Sequence, residues 1–128
     1  MEVRSLERAE PFVTKDSSTI RELLGLPTSA LVRNQSLAEA TLGSGQATDR
    51  HYHRESEEIY LVLDGEIEIK LGDEVHRLGP RDAVLIAADT PRASRNPTDA
   101  EAAFAMISVK VSDPMAETVP VEGFWPTG

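Results

Sequence analysis

Two strand-forming runs, 57–63 and 66–71, are separated by the turn pair Asp64-Gly65. In the second run Ile67, Ile69 and Leu71 face one way, and Glu66, Glu68 and Lys70 the other, the period of a strand with one buried face. In the first run Glu58, Tyr60 and Val62 share one face, and Ile59, Leu61 and Leu63 share the other. Two apolar faces on one strand leave no side for water. The second face therefore needs cover from another sheet, the N-terminal arm or a second subunit. Asp-Gly accepts the positive φ of a tight turn, so a hairpin is expected between the runs.

The flanking sequence continues in short strands. Expected strands are 35–42, 50–53, 74–78, 83–87, 92–96 and 102–111. Gly43–Gln46, Gly72-Asp73, Gly79-Pro80 and Asp89–Pro91 break them apart. No segment carries a convincing long helical pattern. Many short strands with Gly and Pro turns predict an all-β sandwich or barrel. At 128 residues the chain suits one domain. Residues 1–34 read as an N-terminal arm packing on the barrel or on a partner, 35–112 as the barrel, and 113–128 as a C-terminal tail. Within the arm, Ile20–Leu24 forms a short strand or one helical turn, stopped by Gly25 and Pro27.

Two of the three histidines, His51 and His53, lie in the stretch 45–65, with Glu58 soon after. An i, i+2 spacing puts both imidazoles on one face of an extended strand. Two imidazoles and a carboxylate are the donors that a first-row divalent metal prefers. If Glu58 comes round on a neighbouring strand, the three form a triad with positions left open for water or substrate. The alternative is that the histidines are ordinary polar strand residues.

The frame around them resembles the first motif of the cupin superfamily, G-x5-H-x-H-x3-4-E-x6-G, as Gly45, His51, His53, Glu58 and Gly65. The six-residue spacing to Gly65 selects Glu58 over Glu57. The resemblance implies a double-stranded β-helix, a jelly roll, as a single cupin barrel. It also implies a divalent metal, iron, manganese, zinc or nickel, on His51, His53 and Glu58.

The second cupin motif, G-x5-P-x-G-x2-H-x3-N, is kept only at Asn96. Aligned there, Arg81 and Asp89 stand at the two glycines, Ala87 at the proline and Arg92 at the histidine that usually completes the metal site. A guanidinium stays protonated and does not ligate metals. Arg92 is then expected in one of two roles. Either it faces an open metal site and holds a substrate carboxylate or enolate in its fork, or it pairs with Glu58 and leaves a metal-free cavity for a small acid. Tyr60, on the face of Glu58, is a core residue or a participant in proton transfer. Asn96 reads as structural and His76 as surface. Phe124 and Trp125 read as an apolar plug against the barrel or a partner.

Composition narrows the partners. A net charge of −9 and the absence of any basic run argue against nucleic acid. There are no cysteines, so thiolate sites and a cysteine nucleophile are excluded. No apolar run reaches the roughly 18 residues of a membrane span, and the charged N-terminus lacks the apolar core of a secretory signal. The expectation is a cytoplasmic homodimer that acts on, or binds, a small anionic molecule. The reactions implied by the resemblance are those of a dioxygenase, decarboxylase or isomerase/cyclase.

Overall fold

The computed structural model describes residues 3–25, 32–111, 113–123 and 125. Pro27 and Phe124 lie outside the described residues. In chain order the strands are β1 (Phe12–Val13), β2 (Thr19–Leu24), β3 (Gln35–Leu42), β4 (His51–His53), β5 (Glu58–Asp64) and β6 (Ile67–Leu71). They continue as β7 (Glu74–Leu78), β8 (Ala83–Ile86), β9 (Arg92–Arg95), β10 (Ala102–Val109) and β11 (Thr118–Pro120); among the described residues there is one short α-helix, α1 (Pro114–Glu117), before β11, and a 3-10 turn at Leu6–Arg8. No helix among the described residues is long and apolar enough to cross a membrane.

Two antiparallel sheets face each other in a jelly roll, one ordered β1-β2-β3-β10-β5-β8 and the other β11-β4-β9-β6-β7. Between them pack Ile20, Ala40, Leu42, Val62, Ile67, Ile69, Ile86 and Phe104, all buried. These are the inward members of alternating strands, so the core follows from the period-two pattern.

The turn at Asp64-Gly65 differs from the expected hairpin. Gly65 does take a positive φ of 71°, but β5 and β6 lie in different sheets. The chain turns a corner of the barrel here. A Cβ at Gly65 would lie 2.8 Å from the carbonyl oxygen of Glu101 and 2.9 Å from Cα of Ala102. Glycine is thus required both for φ and for the close passage of the strand end. The true hairpin is the next one, where β6 pairs with β7 through Gly72, φ 55°.

Asp89 and Arg81, which stand at the motif's two glycines, keep the glycine conformation, with φ of 61° and 74°. The amide of Arg81 donates to the Val62 carbonyl and that of Asp89 to the His53 carbonyl, at 2.9 and 2.7 Å. These contacts hold the turns despite the side chains.

Both chain ends belong to the walls. β1 and β2 extend the larger sheet by pairing β2 on β3, so this part of the arm continues the sheet. β11 pairs with β4, the strand that carries both histidines. Lys15 ties the two ends together, donating to the carbonyls of Met115 and Thr118, each at 2.9 Å. The Trp125 ring lies 4.9 Å from the guanidinium of Arg95, on β9.

Candidate metal centre and cavity

β4 presents His51 and His53 on one face, and β5 brings Glu58 opposite them across the gap between the sheets. Potential ligand atoms of the three side chains all lie within 4.8 Å of one another. Glu58 is buried while Glu57 is exposed, as the glycine spacing requires. His51 Nδ1 sits 2.8 Å from the Asp49 carbonyl. That contact favours a proton on Nδ1 and leaves the Nε2 lone pair available, the arrangement that orients a metal-binding histidine. His53 Nε2 is 2.9 Å from Glu58 Oε1, and its Nδ1 is 3.4 Å from the Thr118 hydroxyl on β11.

Burial pushes the His51 pKa down, only partly opposed by the nearby Asp16 carboxylate. The imidazole is therefore held neutral, as a ligand must be. Burial pushes Glu58 up, but its hydrogen bond and electrostatic contact with His53 and the positive charge of Arg92 outweigh this, and its pKa falls below the ordinary carboxyl value. The donor set is thus two imidazoles and an ionised carboxylate, which fits a divalent first-row metal.

Arg92 stands behind this set. It is 1% exposed and does not line the cavity. Its NH1 donates to Glu58 Oε1 at 2.6 Å. Nε and NH2 donate to the Thr90 carbonyl at 3.2 and 3.1 Å, and NH2 also to the Ala87 carbonyl at 3.3 Å. Its donors are spent on protein acceptors, so the fork expected for a substrate carboxylate is turned into the wall. Of its two expected positions, the geometry has the one paired with Glu58.

Tyr60 is buried against Phe104, with ring centroids 4.9 Å apart, and its hydroxyl donates to Glu58 Oε1 at 3.4 Å. Burial and the Glu58 charge raise its pKa well above the usual phenol value, so it remains a hydrogen-bond donor. His76 is exposed and pairs with Glu74. Asn96 is fully buried and closes its loop, donating to the Leu42 and Ala100 carbonyls and accepting from the Thr98 amide and hydroxyl.

The triad opens on a cavity of about 610 Å³. Its lining includes residues that sequence reasoning left in the arm and the tail: Lys15, Asp16 and Glu22 from one, Met115, Glu117 and Thr118 from the other. Asp16 Oδ1 is held by Thr14, the Ser18 hydroxyl and the Ser18 amide, while Oδ2 lies 3.7 Å from His51 Nε2. Glu117 Oε1 accepts from the amides of Glu55 and Ser56 at 2.6 and 2.9 Å, clamping the tail to the corner before β5. An Asp-Ser-Ser turn at 16–18 was a legible local signal for the first of these; no local signal pointed to the second.

The family profile described as "Cupin domain" matches residues 38–109. An uncharacterized protein of Methanocaldococcus jannaschii is 39% identical over 90 residues, 70% of this chain and 71% of that protein. Among solved structures, the polyketide cyclase RemF of Streptomyces resistomycificus superposes with a TM-score of 0.80 at 20% identity, covering 94% of this chain and 85% of that one. KdgF of Halomonas sp. gives 0.74 at 16% identity, covering 90% and 98%. A predicted oxalate decarboxylase of Thermotoga maritima gives 0.74 at 16%, covering 86% and 100%. These structural likenesses carry the fold.

Proposed function

The chain belongs to the cupin domain family, and from that premise we propose that it is a metal-dependent enzyme acting on a small oxygen-bearing molecule held in the barrel cavity. The observation that carries this reading is the convergence of His51, His53 and Glu58 at the cavity wall. A divalent ion held by these three would supply a Lewis acid for a substrate oxygen. Two of the structural neighbours bear enzyme names, polyketide cyclase and predicted oxalate decarboxylase, which supports an enzymatic reading.

The chain's own groups divide the work. His51, fixed by the Asp49 carbonyl, and His53, buttressed by β11, hold their rings toward the cavity. Arg92 anchors Glu58 and keeps it ionised, compensating charge at the place where the second cupin motif has its histidine. Tyr60 holds the same carboxylate from the core side. With three protein ligands, more of the metal's positions stay open to substrate than in a four-ligand site. An acidic group of a substrate would meet the metal rather than a lysine. The lining cations are Lys15 and Lys110, and both donate to backbone carbonyls.

The second reading is a binding protein without metal, favoured by the Arg92–Glu58 and His53–Glu58 contacts, which both fall on Glu58 Oε1. Thermal unfolding of chelator-treated protein separates the two. Manganese or zinc at a hundred times its Kd stabilises a binding-competent protein by about 2.7 kcal/mol, and should not stabilise His51→Ala. No shift in the parent protein favours the second reading. Incubating metal-loaded protein with oxygen-bearing acids, and following products by mass spectrometry, then tests for turnover.

A homodimer formed through the larger sheet completes the proposal. Leu24, Leu37, Ile107, Ile59 and Leu85 stand in register as one aliphatic row across its outer face, and Ile59 and Leu85 are 39% and 61% exposed.

A further inference from the structure

Glu22 is an acid inside the barrel that the triad does not use. It sits on β2 and lines the same cavity. In register with it across the larger sheet are Ala38, Met106 and then Tyr60, the neighbour of Glu58. Three strand spacings separate Glu22 from β5, roughly 14 Å along the sheet. The row in register between them is apolar, Ala38 and Met106 with Ile20 beside it, while Ser36 and Ser108 line the adjoining row, so the cavity has a polar end at the triad and a second polar end at Glu22.

The local structure is shaped around this carboxyl. The β2–β3 register shifts directly after Glu22, an irregularity of the kind that re-aims a side chain. Gly25 follows, with φ 140°, and a Cβ there would lie 2.6 Å from Glu22 Oε1. Oε1 is buried, and among the described residues no hydrogen-bond partner reaches it. A buried unpartnered oxygen is costly; Oε1 is turned toward Gly25 and Ser36, and it is the rest of the Glu22 side chain that faces the cavity and can meet a ligand.

We propose that Glu22 is the recognition group for the distal end of the substrate, pairing its carboxyl with an uncharged oxygen, hydroxyl or carbonyl, at the end of an otherwise apolar molecule. This rests on the cavity being the substrate site, and gives that substrate a shape: elongated, apolar in the middle, with oxygen at both ends. Burial raises the Glu22 pKa to about 7, so up to neutral pH the group donates as well as accepts. The charged groups sharing the cavity are Lys15, Asp16, Lys110 and Glu117, besides the triad and the Tyr60 hydroxyl. Burial is the cause of the Glu22 shift.

The test compares two probes, 6-hydroxy-2-naphthoic acid and 2-naphthoic acid, which differ by one hydroxyl. Binding is measured by calorimetry on the full chain, with and without zinc. At pH 6 the hydroxyl should strengthen binding to the parent protein about five- to tenfold, one net hydrogen bond. That gain should vanish in Glu22→Leu and persist in Glu22→Gln. In the parent it should grow as pH rises through about 7, because the hydroxyl donates more strongly to the ionised carboxylate, while in Glu22→Gln it stays level. A gain unchanged in Glu22→Leu, a gain that falls as pH rises, or no binding of either probe would overturn the proposal. If Glu22→Leu fails to fold, the contrast between parent and Glu22→Gln across pH decides. The hydroxyl gain is read in metal-free protein too, so a failure of the metal site is seen separately.

Discussion

At the scale of single residues, the substitution of Arg92 for a metal-binding histidine reorganises the site without dismantling it. The guanidinium gives its hydrogen bonds to Glu58 and to two carbonyls at the turn before β9. A lysine cannot make that fork. Arg92→Lys should therefore lower stability by about 1–3 kcal/mol, the cost of leaving buried groups unpaired, as read by urea denaturation; an unchanged midpoint would contradict the anchoring role. Arg81 makes the opposite case. It is exposed and holds φ 74°, so Arg81→Gly should stabilise by about 1 kcal/mol as backbone strain is released. Glu22 carries a pH signature. Its folded pKa, about 7 against an ordinary 4.5, means the folded state binds its proton more tightly than the unfolded state. Its contribution is fully present below pH 4.5 and is lost as pH rises through about 7. Subtracting the stability profile of Glu22→Gln from that of the parent should show this decline; a difference that rises over the same range would contradict it.

At the scale of elements, the row Leu24–Leu37–Ile107–Ile59–Leu85 is aliphatic on a face that a monomer would leave to water. Apolar patches of this kind mark contact surfaces. Leu85→Glu should convert a dimer to a monomer in light scattering at micromolar concentration, with the circular dichroism of the parent retained; a parent that is already monomeric would remove the dimer from the account. The two-faced pattern of 57–63 was the readable sign of this surface. Strand positions were legible wherever Gly or Pro punctuated an alternating run, as at 66–78. Pairing was not. Asp64-Gly65 looked like a hairpin because turn chemistry is local, whereas the partners of β5 are β8 and β10, about twenty-five and forty residues further on. The triad was legible because three residues and two glycines stand at fixed spacing within one stretch. Glu22 was not, because its role depends on β2 joining the sheet beside β3, and the sequence 15–25 offers no alternation strong enough to place it there.

At the scale of the whole molecule, the two ends of the chain complete the cavity that the central strands begin. β2 and the loop before it form one side, and α1 and β11 form another, joined by Lys15 and clamped by Glu117. Because β11 is the neighbour of the histidine strand, removing residues 113–128 should weaken metal binding more than tenfold while the core sheets remain folded; unaltered affinity would make the tail a mere appendage. On the proposed function, this barrel holds a metal on His51, His53 and Glu58 although Arg92 stands in the fourth position. Elemental analysis of untagged protein tests it most directly, run beside His51→Ala and Glu58→Ala. About one divalent metal per chain, lost from both variants, is the predicted result. A parent protein that stays metal-free after incubation with iron, manganese, zinc and nickel in turn would contradict the claim.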